Sequence, residues 1–308
     1  MTVAELIRLS LAARCPLPVY LQMYHGLWRI AKRTLFPPRI SSKNRPVVSA
    51  QKLTETFERM GLAKNDSVFV HSGIGNIGII EGGCRTVYNL LTEYVDTDKG
   101  NLLFPTFSFY YGVYDYLESN PVFDVRTAPT YMGTLTQYAL KLKKGTRSIC
   151  PTHSVLVIGK DSEILTADHH RDPTPFGPNS PFQKFLRLDN PKILLIGVTS
   201  DAITFVHVVE DSMAENFPIK TYTDKGYVIN CIDHNAQPLS VKTRCHTPVV
   251  SLSRDITRFD RLFREEGVIC REAPVGLSSI AILDPLKFVN LLTELAYEGK
   301  TIYGNIHF

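Results

Sequence analysis

Four apolar runs constrain this chain more than anything else in it: Ser67–Val70, Asn101–Phe104, Ser154–Ile158 and Lys192–Val198. Each is short, rich in β-branched or aromatic residues, and bounded by Gly, Pro or Ser. A run of this kind without polar alternation is a strand buried on both faces. Between the runs lie segments with helical spacing of apolar residues, among them about 49–60 and 84–94, and the chain closes on an amphipathic stretch at 285–298. Doubly covered strands alternating with helices predict an α/β fold: an α-β-α sandwich around a central mixed, mainly parallel sheet. Between Thr221 and Thr247 the pattern changes to short alternating segments around Asp233-His234-Asn235-Ala236, which predicts a β-hairpin added to the main sheet.

At 308 residues, with 44% hydrophobic and 21% charged residues, the chain has the composition of a globular protein and is not disordered as a whole. A membrane span needs about 18 consecutive apolar residues, and no run here approaches that. Charge is unevenly distributed. Residues 1–50 carry eight Lys or Arg against the single acid Glu5, a net +7, which leaves −3 of the formal +4 for residues 51–308. The basic character therefore belongs to an N-terminal arm, residues 1–48, read as two short amphipathic helices interrupted by Pro16 and Pro18. The domain proper is 49–308. Its mild acidity gives no reason to expect a nucleic-acid partner. The arm suits packing on its own domain, peripheral contact with an anionic membrane surface, or a partner subunit in a homo-oligomer. Glu5, Arg8 and Arg14 interrupt what a secretory signal would need as an apolar stretch. Six scattered cysteines do not make a disulfide scaffold, and a reducing cytoplasm is the expected location.

Polar motifs collect where the strands end. Val70 runs into His71-Ser72-Gly73-Ile74-Gly75-Asn76, then Glu81-Gly82-Gly83 precedes a helix. Ligands of open α/β sheets bind at the carboxyl ends of strands, and glycines there let backbone approach them closely. No Gly-Lys-Ser/Thr follows, so this is not a phosphate-binding P-loop. Further along come Phe104-Pro105-Thr106-Phe107-Ser108, Phe123-Asp124 with Met132-Gly133, Pro151-Thr152-His153-Ser154, Asp172 with Phe176-Gly177-Pro178-Asn179-Ser180-Pro181, and His207-Val208-Val209-Glu210.

In order and spacing this set resembles the aminoglycoside 3-N-acetyltransferase family, also called the antibiotic N-acetyltransferase family, from about Val68 to Glu210. The resemblance implies transfer of an acyl group from acyl-CoA, acetyl or another short chain, to the amine of a sugar. It places the pantetheine arm along the His71-Ser72-Gly73-Ile74 loop. The chain departs from the family at Gly73, where a second Ser or Thr is usual. The residue chemistry agrees with such a reaction. Attack of an amine on a thioester needs a base, and His207 is the expected one, with Glu210 three residues on and on the same helix face to orient it. His153 could share that role, or hold acceptor hydroxyls with Asp172, whose carboxylate suits an incoming ammonium. Backbone amides of residues 71–73, with the Ser72 or Thr106 hydroxyl, are expected to meet the developing oxyanion. Ser108 and Ser154 complete the expected cofactor contacts.

Rival chemistries have weaker support. Cys150 close to His153 suggests transfer through an acyl-cysteine, but no oxyanion motif follows the cysteine, and a buried thiol is the plainer reading. Cys231, His234, Cys245 and His246 lack the spacing of a known zinc finger, and no metal is expected. For the acceptor, the modest number of acids near Asp172 and Glu210, with Lys160, Arg171 and Lys184 nearby, favours a nucleotide-linked amino sugar of surface polysaccharide synthesis. The alternatives are an aminoglycoside drug, or a non-catalytic acyl-CoA-binding homologue.

Overall fold

The computed structural model describes residues 45–110 and 112–304. The expected helices of the basic arm fall on residues outside that range. Its last residues are a two-residue strand, β1 (Val47–Val48), which runs parallel to β3 (Ile79–Ile80).

Among the described residues the main sheet has seven strands. In chain order they are β2 (Ser67–Ser72), β4 (Asn101–Pro105), β6 (Thr146–Arg147), β7 (Val155–Gly159), β8 (Pro191–Ile196), β11 (Ile269–Val275) and β12 (Ser278–Leu283), and across the sheet they run β11-β12-β8-β2-β4-β7-β6. The sheet is mixed, as expected, but its parallel part is the centre alone: β2 pairs parallel with β8 and β4, and the outer pairings are antiparallel.

Burial alternates along the strands and assigns each face to its helices. Val68, Val70, Leu102, Phe104, Leu194 and Ile196 point to one face. There they meet α1 (Ala50–Met60), α2 (Gly83–Tyr94) and α3 (Thr134–Lys141) through Leu53, Phe57, Val87, Leu91 and Leu135. Phe69, Leu103, Val155, Ile193 and Leu195 point to the other, toward α4 (Val206–Met213) and α5 (Pro285–Tyr297). Local signals set the helix ends. Ser49 caps α1 by accepting from Lys52 N, and Gly61, at φ +61°, stops it. Asp284 accepts from the amides of Leu286 and Lys287 at the start of α5, with Pro285 in the first turn.

The hairpin at β9 (Tyr227–Ile232) and β10 (Pro238–Thr243) forms as expected but does not join the main sheet. Its β9 pairs parallel with β5 (Val122–Asp124), and the three strands make a separate lobe with its own core of Val113, Phe123, Ile229 and Val241.

Arg147 fastens this lobe to the main sheet. Its guanidinium is buried and lies 5.1 Å from the centre of the Phe123 ring. Nε donates to the hydroxyls of Thr106 (3.1 Å) and Ser154 (3.0 Å), on the sheet side. Nη1 donates to the carbonyl of Ala128, and Nη2 to the Thr106 carbonyl, to Ser108 Oγ at 3.1 Å and to the Pro129 carbonyl. No carboxylate is among these partners, so the charge is balanced by dipoles, and burial lowers the Arg147 pKa to about 10. Arg147→Met should therefore lower stability by about 3 kcal/mol, because it strands several buried acceptors. Arg147→Lys, which keeps the charge without the planar fork, should recover less than half of that. Urea unfolding is the measurement, and a loss below about 1 kcal/mol for the Met variant would refute this role.

Candidate active site

The carboxyl ends of β2, β4 and β8 open on the same edge of the sheet, and the antiparallel β7 begins there. The chain can bend sharply at this edge because of two glycines. Gly197 follows β8 at φ +68°, where a side chain would also meet Gly73 O at 2.7 Å. A β-carbon on Gly73 would in turn lie 2.8 Å from both Val198 Cγ1 and Asn76 Nδ2, which accounts for the absence of a hydroxyl residue there.

From the loop after β8 the chain enters α4, whose second and fifth residues are His207 and Glu210. Both are buried. His207 Nδ1 lies 3.0 Å from Glu210 Oε2 and donates to it, which leaves Nε2 with the lone pair. His246, from the segment after β10, brings its Nε2 to 2.8 Å from the same oxygen, off the line of a good hydrogen bond. The His246 ring lies between His207, 4.4 Å away centre to centre, and Tyr222, 4.5 Å away. On the other oxygen, Oε1, Glu210 accepts from the hydroxyl of Tyr303.

Electrostatics follow from this burial. Desolvation lowers the His207 pKa to about 4 despite the facing carboxylate. Burial alone would raise Glu210, but the His207 and His246 rings outweigh it and hold the carboxyl well below the usual carboxylate range. His71, buried beside Phe69, is lowered to about 3 by burial and then by the charge of Arg254. His153 sits among the rings of Phe107, Phe109 and Phe176, at 4.5, 5.2 and 4.9 Å. Burial, then the neighbouring imidazoles, drive it well below 6.5. Its Nδ1, Nε2 of His71, the Ser72 hydroxyl and the Thr204 hydroxyl are all buried and have no hydrogen-bond partner among the described residues.

The other expected contacts are placed differently. Thr106, Ser108 and Ser154 turn their hydroxyls to Arg147, and Thr106 and Ser154 also bond each other at 2.9 Å. The Gly73 amide is spent on Ile196 O, whereas the Ser72 hydroxyl and His71 Nε2 are side-chain groups of that loop left without a hydrogen-bond partner among the described residues. Asp172 does not line the site. Its carboxylate accepts from the Asn179 backbone amide (2.7 Å) and side-chain amide (2.8 Å), organising the loop that carries Phe176. Cys150 is buried, with its sulfur accepting from the His153 amide. His234 bonds the Arg147 carbonyl, away from any cysteine–histidine cluster. Sequence reasoning missed His246, Tyr303 and Arg147 as members of this assembly.

His207, Glu210 and His246 offer ligand atoms all within 4.8 Å of one another, a donor set that could hold a small cation. Two cavities bear on this site, one at the Gly73 loop and one at Glu210. One, of about 540 Å³, is lined by Arg45, Gly73, Asn76, Gly133 and Thr134 and faces the N-terminus of α3. The other, of about 560 Å³, is lined by Glu210 itself with Asp211, Glu215, Tyr222, Asp224 and Arg244.

The family model described as aminoglycoside 3-N-acetyltransferase matches residues 69–296. Among curated relatives, aminoglycoside N(3)-acetyltransferase III of a Salmonella species is 30% identical over 169 residues, 51% of this chain and 58% of that protein. Aminoglycoside N(3)-acetyltransferase VII of Streptomyces paromomycinus is 28% identical over 176 residues, 53% and 60%. The matches to both thus span less than two thirds of the relative's own length. Solved structures share the fold. AAC(3)-Xa aligns with a TM-score of 0.70 at 21% identity, over 84% of this chain and 95% of that one. AAC-IIIb, in a binary complex with CoASH, aligns at 0.68 and 19%, over 83% and 98%. The motifs that end the central strands and the family match over residues 69–296 agree: the chain belongs to the aminoglycoside 3-N-acetyltransferase family.

Proposed function

We propose that the protein is an acyl-CoA-dependent N-acyltransferase that acylates an amine of an aminoglycoside. The observation that carries this is the buried His207–Glu210 pair. The imidazole is neutral, with Nδ1–H fixed on a carboxylate, so Nε2 is free to take a proton. As the acceptor nitrogen attacks the thioester carbon, Nε2 removes the proton it must lose. Glu210 stabilises the imidazolium so formed. When the tetrahedral adduct collapses, the C–S bond breaks and the thiolate recovers that proton from His207. The Ser72 hydroxyl, buried and without a hydrogen-bond partner among the described residues, is available as a donor toward the oxyanion.

The two cavities suit the two substrates. Arg45 and the α3 N-terminus offer positive potential to the phosphates of coenzyme A. The cavity containing Glu210 is lined by Asp211, Glu215 and Asp224, with Lys220 and Arg244 as its cations. Carboxylates next to the base favour an acceptor with several ammonium groups over a nucleotide diphosphate. The aminoglycoside names of the relatives point the same way, so this acceptor replaces the nucleotide-linked amino sugar expected from the sequence.

Thiol release from acetyl-CoA should depend on an aminoglycoside, and His207→Ala should reduce it by about 10³-fold. Release with nucleotide-linked amino sugars alone would reject the acceptor, and acetyl-CoA binding without release to either would reject the enzyme reading. Because His207 is neutral above about pH 4, the acid limb of kcat/KM near neutrality should follow the acceptor's own ammonium pKa and move when acceptors of different basicity are compared. A limb fixed across acceptors would contradict this. Asp211, raised to about 6 chiefly by burial, carries its charge above that pH and loses it below. The acceptor KM should therefore climb as pH falls through 6, and Asp211→Asn should be high and flat across the same range.

A further inference from the structure

We propose that Tyr303, in the tail that follows α5, is a positioning residue for Glu210, and that residues 300–304 form part of this protein's active-site wall. The family match ends at residue 296, before this segment begins. After α5 the chain reverses at Gly299, φ +76°, where the Lys300 amide donates to Leu295 O. The tail is then held from two sides: the Asp255 amide donates to Ile302 O at 2.9 Å, and Arg258 Nη1 donates to Thr301 O at 3.1 Å. The Tyr303 amide donates to the Thr301 hydroxyl. Thr301, Ile302 and Tyr303 are all buried, and these bonds direct the Tyr303 hydroxyl onto Glu210 Oε1.

This contact completes the carboxylate. Oε2 faces His207 and His246, and among the described residues Oε1 would otherwise be a buried anionic oxygen without a donor. A carboxylate held at one oxygen can rotate about its last side-chain torsion, which has a broad, roughly two-fold profile. One held at both oxygens cannot rotate without breaking a charge-assisted bond. Tyr303 thus keeps Oε2 on His207 Nδ1, and through it keeps the imidazole in the tautomer whose Nε2 can accept a proton. The group that sets the base is supplied 93 residues away in sequence from the carboxylate it holds.

The inference rests on the N-acyltransferase reading for its kinetic consequence, but its structural core can be tested without any substrate. Tyr303→Phe keeps the ring and removes the hydroxyl. In 15N spectra of imidazole-labelled protein, the His207 signals of the wild type should be those of a single Nδ1–H tautomer, and those of the variant should move toward a tautomer mixture. In turnover with acetyl-CoA and an aminoglycoside, kcat should fall about 10-fold with both KM values unchanged, as expected when a buried bond to a charged group is lost. Arg258→Ala, which loosens the tail without touching Glu210, should shift both readouts in the same direction by less. It supplies the test if Tyr303→Phe melts below the assay temperature. Unchanged His207 signals in a folded Tyr303→Phe protein would overturn the proposal, whatever the activity. A loss carried by KM alone would reduce Tyr303 to a structural role. A wild type that releases no thiol, with the spectral shift intact, would instead count against the acyl-transfer reading and leave the positioning role supported.

Discussion

A single buried guanidinium with no carboxylate opposite it holds this architecture together. Arg147 sits where the main sheet ends and the three-stranded lobe begins, and it has to find its compensation in hydroxyls and carbonyls from both. That need fixes the carbonyl and hydroxyl of Thr106, the hydroxyl of Ser154 and the loop through Ala128 and Pro129 relative to one another. Ser154 is the neighbour of His153, and Thr106 is the neighbour of Phe107, which packs edge-on to the His153 ring. The floor of the histidine cluster is therefore set by an ion that takes no part in the chemistry. Polar groups here specify geometry because the cost of leaving any of them unpaired is high.

Above that floor, His207 and His246 meet one ionised carboxylate, Glu210, with His153 nearby and His71 at the end of β2. His71 and His153 are depressed by burial and by neighbouring positive charge, whereas the burial that depresses His207 is opposed by the facing Glu210. The His207 imidazole and a carboxylate that can stabilise its charge are hydrogen-bonded partners on one helix turn. The orientation of the ring is determined by Glu210, and the orientation of Glu210 by the residues on either side of its two oxygens.

Much of the fold was legible in the sequence because the central strands are buried on both faces and so contain unbroken apolar runs. The edge was not: β11 carries Arg271, Glu272 and Pro274, and its exposed face hides the strand signal. The hairpin was recognised from its alternation, but its partner β5 is three residues long and lies about a hundred residues earlier, so no local pattern could pair them. The site divides in the same way. His207 and Glu210 share one helix turn, and their relation is written in their spacing. His246 and Tyr303 reach Glu210 only through tertiary structure. Thr106, Ser108 and Ser154 carry hydroxyls at strand ends, where ligands commonly bind, and nothing local reveals that Arg147, in an unremarkable Thr-Arg-Ser stretch, claims all three.

The close approach of Gly73 to Val198 and Gly197 also bears on how this chain could change. A serine or threonine at 73 meets the Val198 methyl and Asn76 Nδ2 equally closely, so a hydroxyl at that position needs a smaller residue at 198 together with a shift of the Asn76 amide from Gly197 O. The two positions are coupled across the end of the sheet, and the order of substitution matters. One path passes through a crowded intermediate with a distorted strand end, while the other passes through a small void. The glycine records which side of that barrier this lineage occupies.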